Sequence, residues 1–476
     1  MKRILLALAL SMGISAQATH LMGGEIIVQD LGGGDYLLAL FAYRDTAGIP
    51  MATSATFKFY DMMGNSVFTT TTNYDSIISG NLLPMYPYGV EIYLFYDTIT
   101  PNLPAGKYKV AWDNCCRNGA IQNLSAPLNE SMYLETEFEI FSNAPNSTPF
   151  FLVPPAIYLP VNTSWQYNPL PFDPDGDSLY WSIDTPLTNM NQYCLGYTTP
   201  PGAASNPFSI DPVTGTISWT ANTLGNFVAT VLVDEYRFDS TAAGGGQWMQ
   251  IGQIRRDMQF IVVNANSSGH PRFTNLSNFP QNPQGYYTFQ AAAGVPVNVT
   301  FIADHTDPNA QIFMGAFGEM FLATASNQAS FNVTPTGNGN EIQGTLSWTP
   351  TMNDLRPEPY RTAVRVSDGF FVNDATVLIE VTSALGEDEL ELGDRIGVYP
   401  NPASDRVYVE INTRMDDQVR IDWLDITGRV VRSEANIQLK NGQNVIVLPV
   451  QNLERGLYFL RIQTPEATAQ ERIILE

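Results

Sequence analysis

An alternation of apolar and polar residues, interrupted at short intervals by turn-forming residues, constrains the fold of this chain most strongly. Residues 407–411 are VYVEI and residues 419–423 are VRIDW. Successive side chains of a strand point to opposite faces, so half-buried strands produce this pattern. Gly428, Gly442 and Gly456 lie in the turns that separate such runs. The C-terminal eighty or so residues therefore predict a small antiparallel β-sandwich.

An internal repeat extends the same prediction to the middle of the chain. Residues 173–177 are DPDGD and are followed by Trp219, and residues 304–308 are DHTDP and are followed at a similar distance by Trp348. A repeat of about 110–120 residues with many short strands indicates tandem Ig-like sandwiches, with each tryptophan in a core. Residues 208–217 are also similar to a segment of cadherin-like bacterial repeats. The predicted fold class is all-β.

Charge and the N-terminal residues limit the class of protein. The net charge is −23, with 24 Lys and Arg against 47 Asp and Glu. Nucleic acid and anionic membranes attract basic surfaces, so neither is an expected partner. Lys2 and Arg3 precede an apolar run at 4–10 and a small-residue site at 16–18, which indicates a signal peptide over residues 1–18. No other stretch approaches the ~20 apolar residues of a membrane span.

Three motifs near the C-terminus carry a resemblance to a known family. Residues 399–402 are YPNP, residues 425–429 are DITGR and residues 453–458 are LERGLY. This set resembles the type A C-terminal sorting domain of the type IX secretion system of Gram-negative bacteria. The family usually ends on a lysine-rich strand, whereas this chain ends ERIILE. The sorting-motif residues are Tyr399, Pro400, Asn401, Pro402, Gly428, Arg429, Gly456 and Tyr458.

The sorting-domain resemblance implies a location and partners. Such domains dock on an outer-membrane translocon and are usually removed by a sortase-like peptidase. The protein is then released or attached to the cell surface, outside the outer membrane. The acidic, glycine-flanked linker at 384–395 is expected to be extended, which would let a peptidase reach the boundary.

The first domain resembles the opening domain of large surface proteins from gliding bacteria, which carry PKD-like and cadherin-like repeats. The resemblance rests on residues 19–26 (THLMGGEI), 43–45 (YRD) and 115–118 (CCRN). That family usually has cysteine where this chain has Thr46. The predicted domains are a signal peptide (1–18), an N-terminal β-domain (19–142), repeat one (143–264), repeat two (271–383), the linker (384–395) and the sorting domain (396–476).

One loop is the best candidate for a metal site. Asp173, Asp175 and Asp177 lie at spacing two around Gly176, a pattern that can bring hard oxygen ligands together on Ca²⁺. The same residues are also good turn chemistry before a strand, so an acidic turn is the alternative. No other cofactor is expected. The second repeat keeps only two of the aspartates and is assigned no site.

The three cysteines are disulfide candidates, because an exported chain sits in an oxidising setting. Cys115 and Cys116 are adjacent, and an odd total leaves one thiol over. In the resembling domain the cysteine missing at position 46 would be the partner for one of the adjacent pair. Here Cys194 is the other option.

Histidines and catalytic sequence motifs are scarce in this chain. The histidines are His20 in the first predicted domain, His270 between the two repeats and His305 in repeat two, and no zinc, nucleophile-elbow or phosphate-loop motif is present. We therefore expect no catalytic residues and no enzyme activity. A pair of carboxylates for glycoside hydrolysis would need only two acids, and nothing marks one.

Short acidic–hydroxyl motifs suggest covalent modification. They resemble the O-glycosylation acceptor of bacteria that use this secretion system, with turn residues before strands as the alternative. The candidate acceptors are Thr46, Ser76, Thr98, Ser178 and Ser240.

Together these features predict an exported cell-surface protein with a structural or adhesive role, in which the repeats contact a glycan or a protein. The alternatives are a hydrolase of surface polysaccharide and a soluble glycan-binding module. The glycan-binding module would need exposed aromatic residues in the region 36–100, where tyrosine and phenylalanine are dense. Most of those aromatics alternate as core residues do.

Overall fold

The computed structural model describes residues 21–45, 50–79, 90–156, 158–239, 247–265, 269–323, 325, 327–383, 396–413, 417–425, 429–440, 442–463 and 468–475. Within these ranges the regular structure is β-strand, with four single-turn 3₁₀ helices. The all-β prediction is confirmed. None of the described helices is long or apolar enough to cross a membrane. The 3₁₀ helices are Pro127–Asn129, Leu276–Asn278, Glu319–Phe321 and Met352–Asp354.

The chain divides into two compact units, Met1–Val381 and Thr382–Glu476. The strands of the first predicted domain are β1 (Leu21–Gly32), β2 (Asp35–Asp45), β3 (Ser54–Asp61), β4 (Ser66–Ser79), β5 (Val90–Ile99), β6 (Gly106–Asn114) and β7 (Met132–Ile140). Those of repeat one are β8 (Phe150–Phe151), β9 (Tyr158–Pro160), β10 (Trp165–Tyr167), β11 (Pro171–Phe172), β12 (Ser178–Asp184), β13 (Leu187–Asn189), β14 (Gln192–Tyr193), β15 (Ser209–Ile210), β16 (Ile217–Trp219), β17 (Gly225–Asp239) and β18 (Gln247–Val263).

One large sheet crosses residue 142, where the sequence predicted a domain boundary. Its strands follow the order β1-β2-β5-β4-β3-β6-β7-β18-β17-β12, and β18 pairs back onto β1. Strand β18 therefore closes β1 to β7 into a ring, although it comes from repeat one. A strand as long as β18, with 17 residues, can pair with β17 along its length and still pair with the first domain on its other edge.

A hydrophobic core fills the first part of this sheet. Phe57, Phe59, Phe95 and Phe138 are fully buried there. The aromatic side chains at 36–100 thus pack mainly inward, as their alternation predicts, although Tyr96 is exposed. Burial of this kind is the main stabilising term for a β-domain. Among the described residues of that region, it leaves few rings for a ligand.

Repeat two is a sandwich of two four-stranded sheets, ordered β19-β21-β24-β23 and β20-β26-β25-β22. Trp219 of repeat one and Trp348 of repeat two are both buried, as predicted. The strands are β19 (Pro271–Phe273), β20 (Thr288–Ala292), β21 (Val297–His305), β22 (Phe313–Gly318), β23 (Ser330–Pro335), β24 (Ile342–Trp348), β25 (Tyr360–Ser367) and β26 (Val372–Thr382).

Buried hydrogen bonds connect repeat one to repeat two. The indole N–H of Trp165 donates to the carbonyl of Val372 at 2.8 Å. The backbone N–H of Asn168 donates to Asp374 at 3.0 Å, and Asp374 is itself paired with buried Arg365 at 2.7 Å. These polar groups are removed from water and satisfied by one another, which fixes the packing of the two repeats.

The second unit is a smaller sandwich of a three-stranded sheet (β27-β28-β31) and a four-stranded sheet (β30-β29-β32-β33). Trp423 and Tyr458 pack edge to face in its core, with ring centroids 6.0 Å apart. The predicted small sandwich is confirmed. Its strands are β27 (Ile396–Tyr399), β28 (Arg406–Thr413), β29 (Asp417–Leu424), β30 (Val430–Leu439), β31 (Gly442–Pro449), β32 (Gly456–Gln463) and β33 (Thr468–Leu475).

Candidate metal centre

The predicted acidic loop is a tight turn between β11 and β12. The Oδ1 atom of Asp173 accepts hydrogen bonds from the backbone N–H groups of Asp175 and Asp177, each at 2.9 Å. Gly176 has φ +83°, in the left-handed region that glycine adopts without strain. The loop is thus held by its first aspartate, and this arrangement decides where the other two carboxylates point.

Three carboxylates meet on one side of this loop, and only two of them belong to it. Asp173, Asp177 and Glu235 each place one oxygen so that the three atoms lie within 4.8 Å of one another. Glu235 comes from β17, directly opposite Gly252 of β18. A Cβ at Gly252 would overlap Oε2 of Glu235, so the glycine makes room for the carboxylate.

Asp175 is the member of the predicted triad that lies elsewhere. Its Oδ2 accepts from the backbone N–H of Ser147 at 2.6 Å, which ties the loop to the segment before β8. The sequence did carry a signal for Glu235. Val231 and Val233 continue into Glu235 with the alternation of one buried face, so an acid stands where an apolar residue is expected.

The cluster is buried and short of hydrogen bonds. Glu235 is 0% exposed, and neither of its carboxylate oxygens has a hydrogen-bond partner in the part of the chain that the structure describes. Oδ2 of Asp173 is also buried without a hydrogen-bond partner among the described residues. A buried ionised carboxylate without a partner is costly, so a cation or a hydrogen-bond donor at these oxygens would be stabilising.

The pKa values of Glu235 and Asp173 also indicate that their negative charges are poorly compensated. Burial, reinforced by the charges of Asp173 and Asp177, raises the pKa of Glu235 far above its ordinary value. Burial also raises the pKa of Asp173 to about 7, with further contributions from Asp177 and Asp175. Arg237 supplies a positive charge at the edge of the cluster, where its guanidinium donates hydrogen bonds to both carboxylate oxygens of Asp177.

The charge of this cluster and the type of its ligand atoms decide which ion it suits. Three carboxylates against one guanidinium leave an excess of two negative charges, which one divalent cation would balance. The donors are hard oxygens, and Ca²⁺ prefers such ligands and tolerates irregular geometry. The residues present therefore fit calcium at Asp173, Asp177 and Glu235.

The first-domain motifs fold against β18. A Cβ on Gly23 would overlap the carbonyl oxygen of Asp257, so this glycine allows β1 to approach β18. Glu25 accepts two hydrogen bonds from Arg256, at 2.6 and 3.0 Å, and both side chains are buried. Arg117 of the CCRN motif pairs with Asp257 at 2.7 and 3.0 Å, also buried. These motif residues hold the first domain to repeat one.

Arg256 is the most connected of these cations. Besides Glu25, it donates to the carbonyl of Val153 at 2.6 Å and to the hydroxyl of Tyr167 at 3.0 Å. Its guanidinium also stacks over the ring of Phe151, 4.1 Å from the centroid. One side chain thus links the first domain to the interior of repeat one.

The cysteines lie near this junction. Cys115 and Cys116 are joined as a vicinal disulfide, and Cys194 is a buried free thiol. The structure therefore does not pair Cys194 with either of the others, because the adjacent sulfurs satisfy each other. Burial raises the pKa of the Cys194 thiol to about 12.

The sorting motifs lie around the edge of the second unit. The side-chain N–H of Asn401 donates to the carbonyl of Arg472 at 2.9 Å, and its Oδ1 accepts from the N–H of Ile474 at 3.0 Å. Tyr399 stacks on Tyr408, and Pro400 and Pro402 are exposed. The YPNP motif thus fastens the last strand.

The other two sorting motifs are placed only in part. Exposed Arg429 pairs with Asp425 at 3.0 Å, whereas Gly428 lies outside the described residues. Gly456 begins β32, with φ +150°, and Tyr458 points from that strand into the core.

The remaining predicted sites are scattered. Thr98 and Ser178 are exposed and Ser76 is partly buried, all on strands. Thr46 and Ser240 lie outside the described residues, as do the predicted signal peptide and the linker at 384–395. Glycosylation of these residues stays a prediction.

A buried aspartate makes the stability of the second unit dependent on pH. Burial alone would raise the pKa of Asp422, but hydrogen bonds from Arg461, Ser433 and Arg420 outweigh it and lower the pKa to about 2. A depressed folded-state pKa stabilises above the unfolded value near 4, and this stabilisation is lost as the pH falls from 4 toward 2. We expect a loss of about 2 kcal/mol over that interval.

Calorimetry of the full chain between pH 2 and 5 would measure this effect in the transition of the second unit. In Asp422→Asn the pH dependence over this interval should shrink. Asp405→Asn is the control, because Asp405 is an exposed partner of Arg406 and should behave like wild type. An unchanged acid profile in Asp422→Asn would contradict the assignment.

Comparison with known proteins identifies the C-terminal part. Residues 397–476 match the secretion system C-terminal sorting domain. A comparison with curated proteins found no match.

Solved structures with some similarity include the four-domain ectodomain fragment of ICAM-5, with 11% identity, 93% of this chain and 96% of that chain covered, and a TM-score of 0.18. A pair of tandem Ig domains of titin is 10% identical, and the match covers 50% of this chain and 99% of that chain with a TM-score of 0.17. An endo-fucoidan hydrolase of glycoside hydrolase family 107 is 15% identical, and the match covers 68% of this chain and 42% of that chain with a TM-score of 0.17.

Proposed function

We propose that this chain, which carries a type IX secretion C-terminal sorting domain and is exported to the cell surface outside the outer membrane, is a structural or adhesive protein without enzyme activity. The way in which the parts of its first unit are joined supports this proposal. The first domain, repeat one and repeat two are joined by a shared sheet, by buried ion pairs and by the hydrogen bonds of Trp165 and Asn168. Such a body resists separation of its parts, which suits a protein that bears load at a surface.

A bound cation is part of this proposal. Calcium at Asp173, Asp177 and Glu235 would connect the loop before β12 to the centre of β17. Arg237, which pairs with Asp177, also donates to the carbonyl of Pro145 at 3.0 Å and to Asn146 at 2.9 Å. The ion would therefore stiffen the region where the first domain continues into repeat one. The ion supplies charge balance and takes part in no reaction.

The secretion machinery supplies the other partners. The sorting domain implies contact with the secretion system. We further propose that a sortase-like peptidase cuts within 384–395, after the sorting domain has reached the outer membrane. That segment follows the boundary between the two compact units at 381/382 and precedes β27, so a cut there would leave the strands of both units whole.

The test compares cells of the native bacterium that make no copy of this chain, the full chain, or a chain ending at residue 395. The full chain is expected to be labelled by antibody on intact cells and to restore attachment of cells to a surface. Its mass after extraction should show removal of the sorting domain. The shortened chain should stay inside and restore nothing. Equal attachment of cells with and without the full chain would overturn the adhesive role.

A further inference from the structure

The β17–β18 hairpin has a second face, on the side opposite Glu235. With β12, this face presents Tyr180, Tyr236, Phe238 and Trp248 together with Asp234, Gln250 and Gln253, and we name these seven residues the hairpin platform. Trp248 is 61% exposed, Tyr180 54% and Phe238 48%. Single exposed rings are common on protein surfaces, whereas several grouped on one sheet face mark an interaction site.

Strand register places these rings in one row. Tyr180 of β12 stands opposite Asp234 of β17, and Ser178 stands opposite Tyr236. Residues opposite one another share a face, and residues two apart on a strand do too, so Asp234, Tyr236 and Phe238 point the same way. The rings of Phe238 and Trp248 are a cross-strand pair with centroids 5.3 Å apart. The row thus runs from the last strand of the sheet to β18.

Polar groups interrupt the row. Oδ1 of Asp234 accepts from the side-chain amides of Gln250, at 2.7 Å, and Gln253, at 2.6 Å. Each bond uses one N–H of a carboxamide, which has a second N–H and a carbonyl oxygen for further bonds. The two amides are therefore positioned by Asp234 and can offer donors and acceptors to a ligand above the sheet.

The alternation of rings and amides on the hairpin platform favours a polysaccharide over a protein as its ligand. The core of a protein interface is a contiguous, desolvated apolar patch, which this row is not. A polysaccharide presents C–H faces that stack on aromatic rings and, beside them, hydroxyl groups that hydrogen-bond to amides and carboxylates. Asp234 is the charged member of the platform and the chain carries −23 overall, so a polyanion would be repelled.

We propose that the hairpin platform binds a neutral polysaccharide. This deepens the adhesive function and rests on it, because it names the class of surface to which the displayed chain would attach. The glycan would lie across β12, β17 and β18, its sugar rings stacked on Tyr180, Phe238 and Trp248. The described aromatic residues of region 36–100, which the alternative of a glycan-binding module would need exposed, are mostly in the core, as their alternation predicts.

The test is affinity electrophoresis of the full chain through native gels containing laminarin, xylan or galactomannan, with hyaluronate as the polyanion. We expect at least one neutral polymer to retard the wild type, and hyaluronate to leave it unaffected. Replacing Tyr180, Phe238 and Trp248 together by alanine should weaken the retardation about tenfold or more. The matched control replaces Phe313 and Tyr193, exposed rings outside the platform, and should bind like wild type.

A second variant guards against a change in folding. Trp248→Phe keeps an aromatic ring at the β18 end of the row and should retain most of the retardation, whereas Trp248→Ala should not. Retardation only by hyaluronate, equal retardation of the triple variant and the wild type, or no retardation by any neutral polymer would each overturn the platform. If cells still attach through the full chain in that last case, the adhesive function stands and only its ligand class is wrong.

Discussion

Replacing Arg256 by methionine is expected to lower the free energy of unfolding of the first unit by about 3–5 kcal/mol. The guanidinium is buried and pairs with Glu25, and its removal leaves that carboxylate buried with the hydroxyl of Tyr43 as its remaining described donor. The loss of the bonds to Val153 and Tyr167 adds to the cost. Urea unfolding of the full chain would measure the change.

Two further variants make this prediction specific. In the double variant Glu25→Gln with Arg256→Met the buried charge is gone, so at least half of the lost stability should return. Arg272→Met is the matched control, since Arg272 is 53% exposed and pairs with Asp304 at the surface. That change should cost less than about 1 kcal/mol. The transition of the second unit should not move in any of them. If Arg256→Met costs no more than Arg272→Met, the junction is not held by this pair.

Calcium is expected to stabilise the first unit of the wild-type chain by about 2.7 kcal/mol at a concentration a hundred times its Kd. Glu235→Gln should abolish most of this gain, because it removes a ligand oxygen that no described donor satisfies. Without calcium the same variant should be no less stable than wild type, since a neutral amide replaces an acid whose charged form is disfavoured by burial. Thermal unfolding with and without calcium, after treatment with a chelator, would measure both effects.

Asp175→Asn is the discriminating control for the metal centre. Asp175 belongs to the acidic loop but directs its carboxylate to the N–H of Ser147, so this variant should keep the calcium effect. Gly252→Ala should reduce the effect, because the added methyl group occupies space that Oε2 of Glu235 uses. Loss of the calcium response in Asp175→Asn with retention in Glu235→Gln would show that the sequence-based triad is right and the structural cluster wrong. An equal response in all variants would exclude a site here.

Local patterns in the sequence were sufficient for the strands and for the sorting domain. Alternation such as that of residues 407–411 depends only on which face of a strand is buried, and the YPNP segment depends on its own backbone chemistry. Both can be read without knowing any partner. The burial of Trp219 and Trp348 was predictable for the same reason, because each ends a strand with a marked apolar face.

The metal centre shows where such reasoning stops. Loop spacing predicted that Asp173 and Asp177 lie close together, since residues within one turn must stay close, and their carboxylates do share one cluster. It could not exclude Asp175, because the direction of a side chain in a turn depends on the N–H of Ser147, which arrives from another segment. Nor could it find Glu235, which is remote in sequence and is brought in by the pairing of β12 with β17.

Residue patterns along the chain are enough to predict that it is built of strands, that it carries an export domain, and that Trp219 and Trp348 are buried. The closure of the first domain by β18, the pairing of Glu25 with Arg256 and of Arg117 with Asp257, and the place of Glu235 in the acidic cluster are visible in the folded chain alone. The difference comes from the distance along the chain over which each interaction acts. Backbone periodicity and turn chemistry act between neighbours in the chain, whereas strand pairing and buried charge pairs join residues far apart in sequence, and the packing of the whole unit selects them.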